Sequence, residues 1–101
     1  MIATLARCRE ARAAGLWIQV GCQVGESSLL SAAHLRLCAE FREMRHAEGC
    51  FGKLLLAEDP AKPLLQMRRG GRPPLLPPAP GMGVTVDRDL LARHSVRHWQ
   101  S

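Results

Sequence analysis

Apolar and polar positions along the chain divide it into two unlike halves. Residues 2–14 are rich in Ala, Leu and Arg with no breaker among them, which favours a helix. Gly15 follows at once, where a left-handed residue commonly ends a helix. Residues 16–20, Leu-Trp-Ile-Gln-Val, are short, β-branched and aromatic, and they predict a buried strand. A tight loop, Gly21-Cys22-Gln23-Val24-Gly25, comes next. Ser27 or Ser28 then caps a second helix, which runs to about Arg42 or Met44. Within it Leu30, Ala33, Leu37, Phe41 and Met44 recur at three- and four-residue steps and make one apolar stripe. Arg36 and Glu40, four apart on the other side, form a surface pair. Residues 45–50 predict another short strand, with Leu54-Leu55-Leu56 after it.

The first half thus reads helix, strand, helix, strand, an α/β alternation that implies a parallel sheet covered by helices. Two parallel strands cannot bury both their faces alone, so the pattern asks for more strands than this chain contains. The second half has no such rhythm. From Asp59 onward Pro and Gly dominate, through Pro60, Pro63, Gly70, Gly71, the prolines at 73, 74, 77, 78 and 80, Gly81 and Gly83. That composition predicts a long connection with little regular structure. Val84-Thr85-Val86 reads as a brief extended piece, and Asp87 as the cap of a short helix through Ala92. The organisation expected is therefore 1–58 as βα units and 59–101 as a Pro/Gly-rich closing segment with a basic tail.

Composition changes this picture little. Nearly half of the 101 residues are apolar and 23% are charged, the profile of a globular chain. Tyr is absent and there are only two Phe, while Arg, Ala, Leu, Gly and Pro are in excess, a bias expected of a GC-rich genome. The net charge of +5 permits weak attraction to acidic surfaces. No aromatic residues interleave with the basic ones, so the stacking platform of a single-strand binder is missing and nucleic acid is not the expected partner. Cys8, Cys22, Cys38 and Cys50 show neither CxxC spacing nor a zinc pattern with histidine, and read as reduced thiols of a cytoplasmic protein. Gln19, Gly21 and Gln23 break the longest apolar run, so no membrane span is expected.

Candidate chemistry gathers at the loop after the first strand. It joins a strand end to a helix start, which in a β/α barrel is the face that carries the active site. Its glycines let the backbone turn, and the helix amides offer an anion site. Glu26 is the one charged side chain there, although by local pattern alone it does no more than favour the positive end of the helix. The run Gly21-Cys22-Gln23-Val24-Gly25-Glu26-Ser27 mimics a phosphate loop. It is one residue short, and it sets a carboxylate where the phosphate-binding Lys must stand, so that reading fails. Glu48, at the end of the second expected strand, is either a second acid on the same face or a solvated loop residue. His94 and His98 are four apart with no third ligand, an accidental pair in a basic tail. Arg68-Arg69-Gly70-Gly71-Arg72 is a single RGG-like copy, for which a turn with solvated charges suffices.

Three stretches in order resemble the C-terminal end of enolase-superfamily isomerases of the mandelate racemase/muconate lactonizing enzyme type. The first is the run from Ile18 to Ala33, in which a strand ending Val20-Gly21-Cys22 leads through Gly25-Glu26-Ser27 into an Ala-bearing helix. The second, Arg45-His46-Ala47-Glu48-Gly49-Cys50-Phe51-Gly52, is similar to that family's final barrel strand and its exit. The third, Gly70-Gly71-Arg72-Pro73 followed by Pro80-Gly81-Met82-Gly83-Val84, is similar to the closing segment that returns toward the capping domain.

The resemblance implies the C-terminal fragment of a modified (β/α)7β TIM-type barrel with a separate α+β cap. It further implies Mg²⁺ stabilising an enediolate formed by proton abstraction beside a carboxylate, as in a racemase, epimerase or cycloisomerase. The acid–base lysines and metal ligands of that family do not map here: Lys53 and Lys62 lie in the wrong segment, and no trio of strand-end acids exists. Glu26 and Glu48 match positions that contact substrate. The partners implied are the missing barrel and cap segments and a small carboxylate substrate, and the isolated chain is expected to be inactive. The rival expectation is a small basic protein that binds nucleic acid or an acidic protein through its Arg-Gly segment.

Overall fold

The computed structural model describes residues 1–44, 46–76 and 78–96. Arg45, Pro77 and the tail from Arg97, including the His98 of the expected histidine pair, lie outside them. Helix α1 spans Ile2–Ala13. Its stop is a two-bond left-handed cap: Gly15, at φ 75°, donates to Arg12, and Leu16 donates to Ala11. Strand β1, Gln19–Val20, is shorter than the expected 16–20 stretch. Helix α2, Ser28–Glu40, ends at Phe41 instead of continuing to Met44. Strand β2 is His46–Ala47.

β1 and β2 are parallel, with Gln19 opposite His46 and Val20 opposite Ala47. The Glu48 amide donates to the Val20 carbonyl at 2.9 Å and extends the pairing one step further. With α2 between them in sequence, they make one βαβ unit, the shortest motif that joins parallel neighbours. Nothing else in the described residues adds to this sheet. Val20 is buried beneath it, whereas both residues of β2 are exposed.

The second half holds more order than its composition predicts. Helix α3 is Gly52–Leu55, beginning two residues before the leucine run. Strand β3, Ala61–Lys62, pairs antiparallel with β4, Thr85–Val86, and the Asp87 amide adds a bond to the Pro60 carbonyl. Helix α4, Arg88–His94, begins where expected: the Asp87 side chain accepts from the Leu90 amide at 3.0 Å. It runs two residues past Ala92.

Helix α2 is the axis about which both halves pack. On one side Val20, Leu37 and Phe41 are buried, with Leu5, Cys8 and Ile18 against them. On the other, Ala32, Cys50 and Leu65 are buried beneath Met67, Met82 and Val84 of the closing segment. Residues on both sides of position 58 therefore share the second core. The apolar stripe expected on α2 is buried at Leu37 and Phe41 but open at Leu30. Its two polar positions serve distant parts of the chain: Glu40 accepts from Arg9 of α1 at 2.6 Å, and Arg36 donates to the Ala79 carbonyl at 3.1 Å. Arg12 likewise reaches Glu43, so paired charges tie α1, which buries no residue of its own, to the far end of α2.

Candidate functional site

Parallel strands deliver their C-terminal ends to the same side of a sheet, so the residues after β1 and after β2 meet. These are Gly21 to Ser27 and Glu48 to Cys50. The first run closes as a turn, with Gly25 at φ 83° and the Glu26 amide bonded to the Gln23 carbonyl. That turn folds the Glu26 side chain back over its own loop. Glu26 Oε1 accepts from the Gln23 amide at 2.7 Å and Oε2 from the Cys22 thiol at 3.0 Å. The side chain is only 8% exposed. Behind it Gly52 comes so close that a Cβ there would lie 2.6 Å from the Glu26 carbonyl oxygen. A side chain at Gly52 would push the turn outward.

Glu48 approaches the same loop from β2. Its Oε2 accepts from the Cys22 amide and its Oε1 from the Gln19 side chain, both at 3.4 Å. The two acids singled out in the sequence are thus brought together around one residue, Cys22, with different exposures. Glu26 is turned inward, with one donor on each carboxylate oxygen. Glu48 lies open at the mouth.

The sequence reading passes over Cys22 and His34, which the fold unites. His34 sits on α2 with its Nδ1 3.4 Å from Glu26 Oε2. That nitrogen is buried and has no hydrogen-bond partner among the described residues. The donor atoms of Cys22, Glu26 and His34 all lie within 4.8 Å of one another. Eleven residues lie between the cysteine and the histidine, and Cys22 has no companion at CxxC spacing to mark them as a metal pattern. The Cys22 thiol is pushed up to about 11, first by burial, then by its hydrogen bond to Glu26 and the charge of that carboxylate, against a smaller opposite pull from the Phe51 backbone. Burial also raises Cys50, opposed by the Ser31 hydroxyl. Cys50 carries its side chain in the left-handed region, at φ 63°, among the buried residues. Beside it lies a cavity of about 110 Å³, lined by His34, Leu35, Cys38, Ala47, Cys50 and Met67 among others.

Other expected features fall elsewhere. The anion site of the α2 amides is taken from within. Ser27 makes no side-chain cap, and Asp59 Oδ2 accepts instead from both the Ser28 amide and the Ser28 hydroxyl, each at 2.7 Å. His94 pairs with Glu58 at 3.1 Å. Arg68 to Arg72 form a tight turn bridged at its ends, with Gly70 and Gly71 both at positive φ.

A hard Mg²⁺ ion requires several oxygen ligands in octahedral array. Among the described residues no set of carboxylates converges on one point. The single group that does converge offers one thiol, one carboxylate and one imidazole. These residues do not fit Mg²⁺. All four cysteines are free, and among the described residues no helix is long and apolar enough to cross a membrane. Comparison with protein-family models, curated proteins and solved structures gives no match for this chain.

Proposed function

We propose that this chain is the C-terminal part of a cytoplasmic enolase-superfamily isomerase, a racemase, epimerase or cycloisomerase acting on a small carboxylate substrate, and that it has no activity by itself. One observation supports this above others: a lone parallel βαβ unit whose strand ends bring two acids to one mouth, while its other sheet face is left open. Gln19, His46 and Glu48 lie on that open face. In a closed barrel the face away from the helices is the interior, filled by side chains from the other strands. A parallel pair covered on one face only is an unfinished layer.

Of the two acids, Glu48 is the one with a carboxylate open to a substrate. A carboxylate accepts hydrogen bonds, so it suits an N–H or O–H group neighbouring the substrate's carboxylate. Glu26 shapes the loop from beneath. Proton abstraction and Mg²⁺ binding belong to strands outside this chain. The four free thiols suit a reducing cytoplasm.

The experiment is to express the chain with and without the coding sequence upstream of Met1, and to follow α-proton exchange into deuterated solvent with Mg²⁺ and a panel of small carboxylates. Exchange is expected only from the extended product, and Glu48→Gln should raise its KM. Turnover by the purified 101-residue chain, or none from the extended product, would defeat the proposal.

A further inference from the structure

Three donors of different chemistry meet at the start of α2, and the metal implied for the family does not suit them. Cys22 Sγ lies 3.0 Å and His34 Nδ1 3.4 Å from the same oxygen, Glu26 Oε2. The corners of a tetrahedron with bonds of ~2.0–2.3 Å are roughly 3.3–3.5 Å apart; both distances to Glu26 lie near that spacing, and the thiol and imidazole, within 4.8 Å of each other, complete the triangle by side-chain adjustment. Second, the His34 nitrogen that faces the carboxylate is buried without a hydrogen bond, which is a rare condition for a buried polar atom. A cation between the three would satisfy it.

We infer that Cys22, Glu26 and His34 form a three-ligand site for a zinc-type divalent cation, with a fourth position left for water or an exogenous ligand. Thiolate and imidazole select borderline-soft ions, and a single carboxylate is too little for Mg²⁺ or Ca²⁺. The scaffold holds two of the ligands firmly. His34 is carried by α2, whose first turn is anchored by Asp59, and Glu26 by a turn backed against Gly52. Cys22 is positioned through its own amide, which donates to Glu48. Loading exchanges the thiol proton for a metal–sulfur bond and releases that proton to solvent. The site is independent of the isomerase proposal, since its ion is not Mg²⁺ and its ligands all lie within this chain.

The test is titration of the reduced, chelator-treated chain with Co²⁺, read by the thiolate-to-metal charge-transfer absorption in the near ultraviolet. One equivalent is expected to give the band, Zn²⁺ to erase it, and excess Mg²⁺ to leave it. Cys22→Ser should abolish the band while Cys8→Ser and Cys38→Ser keep it, and His34→Gln should weaken Co²⁺ binding at least tenfold. Circular dichroism checks that each variant keeps its helices. Should Cys22→Ser lose them, Glu26→Gln decides by the same tenfold criterion. A wild-type chain that gives no band, or a band that survives in Cys22→Ser, would overturn the inference.

Discussion

Cys22 is surrounded by two acids yet touches them through different atoms, its thiol donating to Glu26 and its amide to Glu48. The arrangement favours the neutral thiol, and its pH dependence has a definite sign. In the unfolded chain the group ionises near 9.0, and in the folded one near about 11. The stability this difference contributes is fully present below pH 9 and is lost as pH rises toward about 11, where the folded thiol ionises too. Alkylation of the metal-free protein should therefore be slow at Cys22 until strongly alkaline pH. Glu26→Gln, which removes the charge, should shift the profile downward, as peptide mass spectrometry across a pH series would show. An unchanged profile in that variant would assign the shift to burial alone. At this scale the sequence disclosed the acids but not their partners. Glu26 and Glu48 are conspicuous as charges beside strand ends, whereas His34 resembles any histidine on a helix until the chain folds.

Helix α2 was legible over most of its length because its signals are local: serines at the start, and an apolar stripe through Leu37 and Phe41. What holds its first turn was not legible. Asp59 satisfies it from 31 residues away, and the Ser28 hydroxyl in turn accepts from the Leu65 amide at 2.8 Å. Ser28 itself is 1% exposed. Removing the carboxylate strands the Ser28 hydroxyl and the amides of Ser28 and Ala61, at a cost of about 2–3 kcal/mol. Asp59→Ala should lower the urea midpoint accordingly without changing its slope, whereas Ser27→Ala, which removes no cap bond, should leave the midpoint nearly unmoved. Strand β4 was legible as the extended piece Val84-Thr85-Val86, but its partner β3 was not. Two residues flanked by Pro60 and Pro63 carry no periodicity, and the pairing joins them across a long connection, with the Asp87 amide on the Pro60 carbonyl. Helix α4, whose cap is its own preceding residue, was readable at once.

For the whole molecule the decisive feature is how much apolar surface is left over. Trp17 is 64% exposed beside β1, and Ile2, Val24, Leu54 and Leu75 are more exposed still. Both residues of β2 are exposed, and neither β1 nor β2 has a second neighbour among the described residues. Unpaired strand edges next to apolar surface are templates for association. Sedimentation velocity should show average mass rising with concentration across the micromolar range, and Ala47→Pro on the open strand should reduce that rise. A chain monomeric throughout would count against a missing barrel. The alternation of the first half predicts a larger parallel sheet than the two strands that pair among the described residues. The sequence did not announce that the proline-rich remainder would fold against α2 and bury Leu65 and Ala32 with Cys50.

The clip between Asp59 and Ser28 also bears on the order of events during synthesis. A nascent chain presents the amides of α2 to solvent well before the carboxylate that will occupy them has been translated. Until then the first amide of the helix and the Ser28 hydroxyl lack the acceptor that will hold them. Assembly of the mouth is thus coupled to arrival of the downstream peptide: ribosome-bound intermediates arrested before Asp59 would carry both acids and the histidine in sequence, but not yet in register.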